Sequence, residues 1–313
     1  MAKKELIYGC MGLGGGWNNK PLTSDDFKLA ENAIEAALEI GITNFDHADI
    51  YTLGKAELVF GQVLKAKPAL RDKITLQSKA GICYHKGVMN SSIYDLSKTY
   101  LLQQVDNILK RLQTDYLDVF MLHRPDALMN PEEIADAFRA LKKAGKVKRF
   151  GVSNMSLHQI DFIQKQCDDP LVVNQIELSL GHSLLIDSGI LVNRVNTQDF
   201  NGIEGLLEYT QSNNITIQAY SPLMGGRFTG NNNLAAKEDK KIIELINQLA
   251  EKYNTTASAV LLAWVMKIPG NIQPVIGTTN PQRIAACKDA VTIELSRLDW
   301  YNLWITARGE KIP

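Results

Sequence analysis

The stretch Gly41-Ile42-Thr43-Asn44-Phe45-Asp46-His47-Ala48-Asp49-Ile50-Tyr51 carries the plan of the whole chain. Upstream of it, Phe27, Ala30, Ile34, Ala37 and Leu38 recur at helical spacing, so an amphipathic helix with one buried face leads in. Gly41 stands where a helix-ending glycine belongs. Thr43 to Asp46 is short, β-branched and aromatic, the composition of a buried strand, and it closes on a carboxylate before a polar loop that holds Tyr51. A helix, a glycine, a strand and a polar loop in that order make one βα repeat.

On both sides of this stretch the same alternation runs to the ends of the chain. Strand candidates are Ile7 to Gly12, Thr43 to Asp46, Ile74 to Lys79, Leu117 to His123, Lys148 to Ser153, Val172 to Glu177, Ile215 to Tyr220 and Gln273 to Gly277. Amphipathic stretches separate them, as in Leu101, Val105, Ile108, Leu109 and Leu112. Asn130-Pro131 and Asn280-Pro281 offer a cap followed by proline, Ser156-Leu157-His158-Gln159 a capping box, and Gly145 a second helix-ending glycine. Strands alternating with helices mean a parallel sheet, and eight of them close it. The expected fold is α/β, a (β/α)₈ TIM barrel forming one domain over residues 1–313. Ser179 to Gly202 lacks a period and reads as an irregular loop over the barrel mouth.

Composition narrows the function classes. The 313 residues carry 34 Lys plus Arg against 34 Asp plus Glu, which leaves no field to gather nucleic acid or an anionic membrane. Hydrophobic content of 45% and charged content of 22% suit a packed globular core. No apolar run reaches spanning length and the start shows no signal-peptide pattern, so the expectation is a cytoplasmic protein without a membrane or obligate protein partner. Cys10, Cys83, Cys167 and Cys287 are scattered and read as core thiols in a reducing compartment. His85, His158 and His182 lack metal-ligand spacing. Gly12-Leu13-Gly14-Gly15-Gly16 is broken as a dinucleotide fingerprint by Trp17.

In such a barrel the active site forms at the carboxyl ends of the strands, where Asp46, Lys79 and His123 each close an apolar run and Tyr51 follows five residues after Asp46. Strand parity puts Thr75, Gln77 and Lys79 on one face, which aims Lys79 inward. The same parity turns His47 away, toward the helix layer. Taken singly, each has a structural alternative: a turn cap, a loop anchor, a surface charge, a core histidine.

Residues Gly41 to Tyr51 closely resemble the aldo-keto reductase signature, and the resemblance continues in order through Ser78-Lys79, Leu122 to Pro125, Gly151 to Asn154, Asn174-Gln175, Ala219 to Leu223 and Ile276 through Arg283. It covers the chain from about Tyr8 to Cys287, and the D-H-A-D-I-Y motif is similar to that of the bacterial YdhF-like oxidoreductases. The resemblance implies a catalytic tetrad of Asp46, Tyr51, Lys79 and His123 that reduces an aldehyde or ketone with NADP(H). Tyr51 would give the proton, helped by the Lys79 cation because a free tyrosine, with a pKa near ~10, is a poor acid. It also implies Ser153, Asn154 and Gln175 on the nicotinamide carboxamide, Tyr220 stacked on its face, and Ser221, Pro222 and Leu223 beneath the pyrophosphate. Gly277, Thr278, Thr279 and Asn280 would open a helix toward the adenosine phosphate, with Arg283 as a bidentate donor to the 2′-phosphate. Gly277 stands where many relatives have a lysine. Arg227 is either a pyrophosphate clamp or a solvated charge, and Trp17 either pocket wall or core. Leu53 and Tyr84 are further candidate walls for a small carbonyl substrate. Two rival functions remain: a Schiff-base aldolase using Lys79, and an NADP-binding sensor or partner protein on the same scaffold.

Overall fold

Parallel strands need crossovers, and in this chain the crossovers are helices. The structure is a computed structural model that describes residues 4–85, 91–192, 202–230 and 234–313. Its strands are β1 (Ile7–Gly9), β2 (Asn44–Asp46), β3 (Thr75–Ala80), β4 (Ile82–His85), β5 (Ser91–Tyr94), β6 (Leu117–Leu122), β7 (Val147–Ser153), β8 (Leu171–Glu177), β9 (Thr216–Tyr220) and β10 (Ile272–Ile276). Eight of them form a closed barrel in the order β1-β10-β9-β8-β7-β6-β3-β2, while β4 and β5 pair as a separate hairpin. All eight expected strands are present, and the fold is a (β/α)₈ barrel.

The chain is organised as two compact units: Ile7–Asn174 with Gly277–Pro281, and Met1–Leu6 with Gln175–Ile276 and Gln282–Pro313. In the first unit, β1 pairs with β2 in the register Gly9↔Asp46, β2 with β3 as Asp46↔Gln77, and β3 with β6 as Lys79↔Met121. This register sets the ends of β1 and β2 level and the ends of β3 and β6 level, while β3 runs three residues past Gln77, the partner of Asp46. The helices α1 (Ser24–Glu39), α2 (Lys55–Ala66), α3 (Lys98–Leu112), α4 (Pro131–Lys143) and α5 (Leu157–Gln164) follow. Asn130 caps α4 with Pro131 at its first position, and Ser156 and Gln159 form a capping box on α5. Gly41 and Gly145 both take positive φ, 86° and 70°, the left-handed exit that glycine allows.

The second unit carries α6 (Leu184–Ile190), α7 (Leu206–Ser212), α8 (Lys240–Lys252), α9 (Ala257–Lys267), α10 (Pro281–Ala285, whose first residue belongs to the first unit) and α11 (Arg297–Arg308). Here α9 is buried on nearly all sides, from Ala259 to Met266. Asp187 of α6 accepts from Ser183 Oγ at 2.8 Å and Trp304 Nε1 at 3.2 Å, and pairs with Arg308.

Three expectations change. β1 stops at Gly9 and Cys10–Gly12 forms a 3-10 turn. A Cβ on Gly12 would lie 3.0 Å from Thr279 Cγ2, so close packing against the 277–281 segment, not strand pairing, decides that backbone. Within Ser179 to Gly202, expected to be irregular, α6 forms because α11 supplies its partners; residues 193–201 lie outside the described residues. The β4–β5 hairpin is an addition to the eight expected strands and stands apart from the barrel.

Candidate active site

Asp46 ends β2 and Lys79 comes one residue before the end of β3, both facing inward, and pairing of these two strands decides their meeting. The ladder continues past the strand ends: His47 N–H donates to Gln77 O at 2.9 Å, Asp49 N–H to Lys79 O at 2.9 Å, and His123 N–H to Ala80 O at 2.8 Å. Lys79 Nζ donates to both Asp46 oxygens, at 2.6 and 2.7 Å, and Gln77 Nε2 donates to Asp46 Oδ1 at 2.7 Å. Lys79 and Gln77 are wholly buried and Asp46 is 1% exposed. Burial pushes the lysine pKa down, and the Asp46 carboxylate opposes that shift. Gln77 is a site residue that no motif flags, although its place on the Lys79 face is readable by parity.

Above this pair sits Tyr51. Lys79 Nζ lies 5.1 Å from its ring centroid, and the His123 ring meets it edge-on at 6.0 Å with an interplanar angle of 81°. The four expected residues are thus brought together within one unit. Burial, followed by the charges of Lys79 and Arg124, holds the His123 imidazole well below its ordinary pKa, so it is neutral near pH 7. Its Nδ1 is buried with no hydrogen-bond partner among the described residues.

The loop that presents Tyr51 is strained. Thr52, Leu53 and Gly54 take φ of 47°, 61° and 84° in succession, and left-handed geometry costs a non-glycine residue about 1–2 kcal/mol. Thr52 is tied by its hydroxyl, which donates to Leu13 O at 3.0 Å and to Tyr51 O at 2.8 Å. Such strain persists where surroundings over-determine the backbone, and it clusters at functional sites.

Behind the strands lies a second charged group. Glu57, on α2, is fully buried and accepts from Ser78 Oγ and Arg111 Nε, each at 2.6 Å. Burial raises the Glu57 pKa against the pull of Arg111. Burial and the nearby Glu57 push Asp49 up to about 7. His47 packs edge-on against Phe60 at 4.6 Å, toward α2 as parity requires. Burial drives its pKa down to about 3, helped by the Lys79 charge, and both ring nitrogens lack a partner among the described residues.

The cofactor candidates fall in both units. In the first, Ser153 is 1% exposed at the end of β7 and accepts from Asn154 Nδ2 at 2.8 Å, with Asn154 at φ 56°. Thr278 O accepts from Tyr8 Oη at 3.1 Å, and a Cβ on Gly277 would meet only Gly9 O, at 3.9 Å. That segment is therefore anchored at Thr278 and has room around Gly277. Its helix, α10, is only five residues long. In the second, Gln175 Nε2 donates to Gln218 Oε1 at 3.0 Å. Tyr220 is half-buried, Ser221 exposed, Pro222 buried and Leu223 half-buried, and Arg283 is exposed. Arg227 pairs with Asp239 through Nε at 2.7 Å and Nη2 at 2.8 Å, which fixes its guanidinium and removes the simply solvated reading. Buried polar strand ends and an open, anchored backbone segment fit a dinucleotide cofactor. Trp17 and Leu53 are 54% and 45% exposed, which removes the core reading of Trp17; the side chain of Tyr84 lies outside the described residues. No metal-binding cluster occurs among the described residues, nor any helix long and apolar enough to cross a membrane.

The family model described as "Aldo/keto reductase family" matches residues 5–303. The chain belongs to that family. Curated relatives in the family include the uncharacterized oxidoreductase YcsN of Bacillus subtilis, 34% identical over 96% of this chain and 94% of the relative. The oxidoreductase YdhF of Escherichia coli is 32% identical over 90% and 88%, and a 6-dehydroglucose reductase of Agrobacterium fabrum 33% identical over 98% and 95%. Among solved structures, an aldo/keto reductase from Klebsiella pneumoniae in complex with NADP and acetate has a TM-score of 0.72 at 24% identity, covering 96% of this chain and 94% of that one. A glycerol dehydrogenase from Gluconobacter oxydans has a TM-score of 0.79 at 22%, covering 100% and 95%. These two speak for the fold. Family membership makes the protein an oxidoreductase.

Proposed function

We propose that this protein reduces an aldehyde or ketone to an alcohol with NADPH, as one domain over residues 1–313, and that Tyr51 is the proton donor. The observation that carries the reading is the wholly buried Lys79–Asp46 pair lying against the Tyr51 ring, with His123 edge-on to it. Bound NADPH supplies a hydride to the carbonyl carbon. Tyr51 gives its hydroxyl proton to the oxygen as negative charge develops there. Lys79 favours the phenolate left behind: its Nζ lies 5.1 Å from the ring centroid, and a charge centred there would be attracted by roughly 3 kcal/mol at an effective dielectric of ~20, part of which Asp46 draws off. Asp46 keeps the buried ammonium charged. His123, being neutral, presents an N–H to the carbonyl oxygen and orients it.

Cofactor residues are assigned by family likeness: Ser153, Asn154 and Gln175 on the carboxamide, and Tyr220 against the nicotinamide face. Ser221, Pro222, Leu223 and Arg227 go to the pyrophosphate, and Gly277, Thr278, Thr279, Asn280 and Arg283 to the adenosine phosphate. Support for NADP comes from Arg283, an exposed guanidinium two residues into α10, and from the Klebsiella structure bound to NADP. Trp17, Leu53 and Tyr84 are the proposed substrate walls. The protein is proposed to act in the cytoplasm on a small-molecule carbonyl.

The test is NADPH oxidation across aldehydes, ketones, dicarbonyls and quinones, with aldose and keto-sugar carbonyls included because two relatives are 6-dehydroglucose reductases. Turnover of a carbonyl, with NADPH bound at least tenfold more tightly than NADH and Arg283→Ala eroding that preference, is the expected result. Tight NADPH binding without turnover of any carbonyl would make the protein a sensor, and equal affinity for the two cofactors would overturn the NADP assignment.

A further inference from the structure

We propose that Arg111, on the outer helix α3 and outside the tetrad, is a positioning residue that acts through Tyr51. The proposal rests on the reading of Tyr51 as the proton donor.

The three left-handed residues Thr52, Leu53 and Gly54 immediately follow Tyr51, and the last of them leans on Arg111. A Cβ built on Gly54 would sit 3.2 Å from Arg111 Cδ and 3.4 Å from Arg111 Nε. The arginine stem therefore packs beneath the turn, so closely that a Cβ at Gly54 would press it aside by a few tenths of an ångström. Arg111 is itself fixed: its Nε donates to Glu57 Oε2 at 2.6 Å, and the other oxygen of Glu57 accepts from Ser78 Oγ at 2.6 Å. Ser78 immediately precedes Lys79 in β3, on the opposite face of the strand. One chain of contacts thus runs from the strand that carries Lys79, through α2 and α3, to the turn that carries Tyr51.

The arginine has a further tie to the same loop. Asp49, two residues before Tyr51, interacts electrostatically with Arg111. Arg111 Nη2 and Asp49 Oδ1 are both buried with no hydrogen-bond partner among the described residues, so the ion pair with Glu57 does not exhaust the guanidinium. A left-handed run containing two non-glycine residues relaxes unless its surroundings prevent it. The packing of Arg111 under Gly54 and its charge beside Asp49 hold both flanks of Tyr51, and with them the distance from its hydroxyl to the reacting oxygen.

The experiment measures kcat, KM and NADPH dissociation for Arg111→Met, Arg111→Lys, Tyr51→Phe and the Tyr51→Phe/Arg111→Met double variant. Arg111→Met keeps most of the stem and loses the charge. Its kcat is expected to fall by roughly 10- to 100-fold, the scale of a misplacement of about 1 Å at a reacting group. KM and NADPH affinity should move less than about threefold, and Arg111→Lys should recover most of kcat. The double variant should be within about twofold of Tyr51→Phe alone, because a residue acting through the hydroxyl has nothing left to position. If Arg111→Met fails to fold, Glu57→Gln, which keeps one acceptor oxygen for Arg111 Nε, offers an N–H that the Ser78 hydroxyl can accept, and drops the charge, is read by the same criteria. A kcat within twofold of the unmodified enzyme, or losses that multiply in the double variant, overturns the proposal. A Tyr51→Phe protein that keeps its activity overturns the underlying reading instead.

Discussion

Replacing Asp46 by asparagine probes the buried charge on which the site is built. Lys79 Nζ touches both Asp46 oxygens, at 2.6 and 2.7 Å, and is wholly buried. At that separation and an effective dielectric of ~20, the attraction is about 6 kcal/mol at most. Without it the ammonium has two courses. Staying charged and unpaired in the interior costs roughly 3–5 kcal/mol. Losing its proton at pH 7, from an ordinary lysine pKa of ~10.4, costs about 4.6 kcal/mol at 1.36 kcal/mol per unit. The two costs agree, so Asp46→Asn should lose about 3–5 kcal/mol of folding stability. The second course also carries a sign. A folded lysine whose pKa lies below its unfolded value binds fewer protons than the unfolded chain between those two values, so stability rises with pH there and levels off above ~10.4. Urea unfolding from pH 6 to 10 measures it, with Lys79→Met as the control that cannot titrate. A loss under about 1 kcal/mol, or an Asp46→Asn profile no steeper than that of Lys79→Met, would mean that Asp46 does not hold a buried charge in place.

His47→Leu should stabilise the protein by about 1–2 kcal/mol, because both imidazole nitrogens are buried without a partner among the described residues. Since the folded His47 pKa is about 3 against an ordinary ~6.5, stability is lost as pH falls through that window, and the variant should lose less; equal losses in denaturant melts at pH 7 and pH 4 would contradict this. Gly61→Ala would bring a Cβ within 2.1 Å of Arg111 O and 2.9 Å of Leu112 C, backbone that cannot move aside, so it should cost more than ~3 kcal/mol. Gly145→Ala, with nothing within 4 Å but a φ of +70°, should cost only about 1–2 kcal/mol, and paired melts separate the two. Tyr220→Ala should weaken NADPH binding in a fluorescence titration while Tyr220→Trp preserves it; unchanged affinity in the alanine variant would remove the ring from the cofactor.

The barrel is legible in the sequence because its strands are short apolar runs alternating with amphipathic helices, and the positions of Asp46, Lys79 and His123 follow from the polar residues at the ends of three of those runs, with strand parity. Gln77 is within reach of the same rule. What the sequence hides depends on partners distant along the chain. The 3-10 turn Cys10–Gly12 forms against Thr279, and α6 forms because Trp304 and Arg308 reach Asp187. Glu57 lies on the buried face of α2 between Ala56 and Val59, which a helical wheel can flag, but its partner Arg111 comes 54 residues later. The left-handed turn after Tyr51 gives no signal at Thr52 or Leu53, residues that seldom adopt it.

In the proposed mechanism the proton comes from Tyr51, and Tyr51→Phe tests this step with the least disturbance, since the ring stays and only the hydroxyl is lost. Carbonyl reduction on the unmodified enzyme's best substrate is measured beside NADPH affinity. The expected result is a fall in rate by a factor of about 10² to 10⁴ with near-normal NADPH binding, and a comparable loss in Lys79→Met. A Tyr51→Phe enzyme that still turns over within a few-fold of the unmodified protein would contradict the mechanism and assign the proton to His123 or to water.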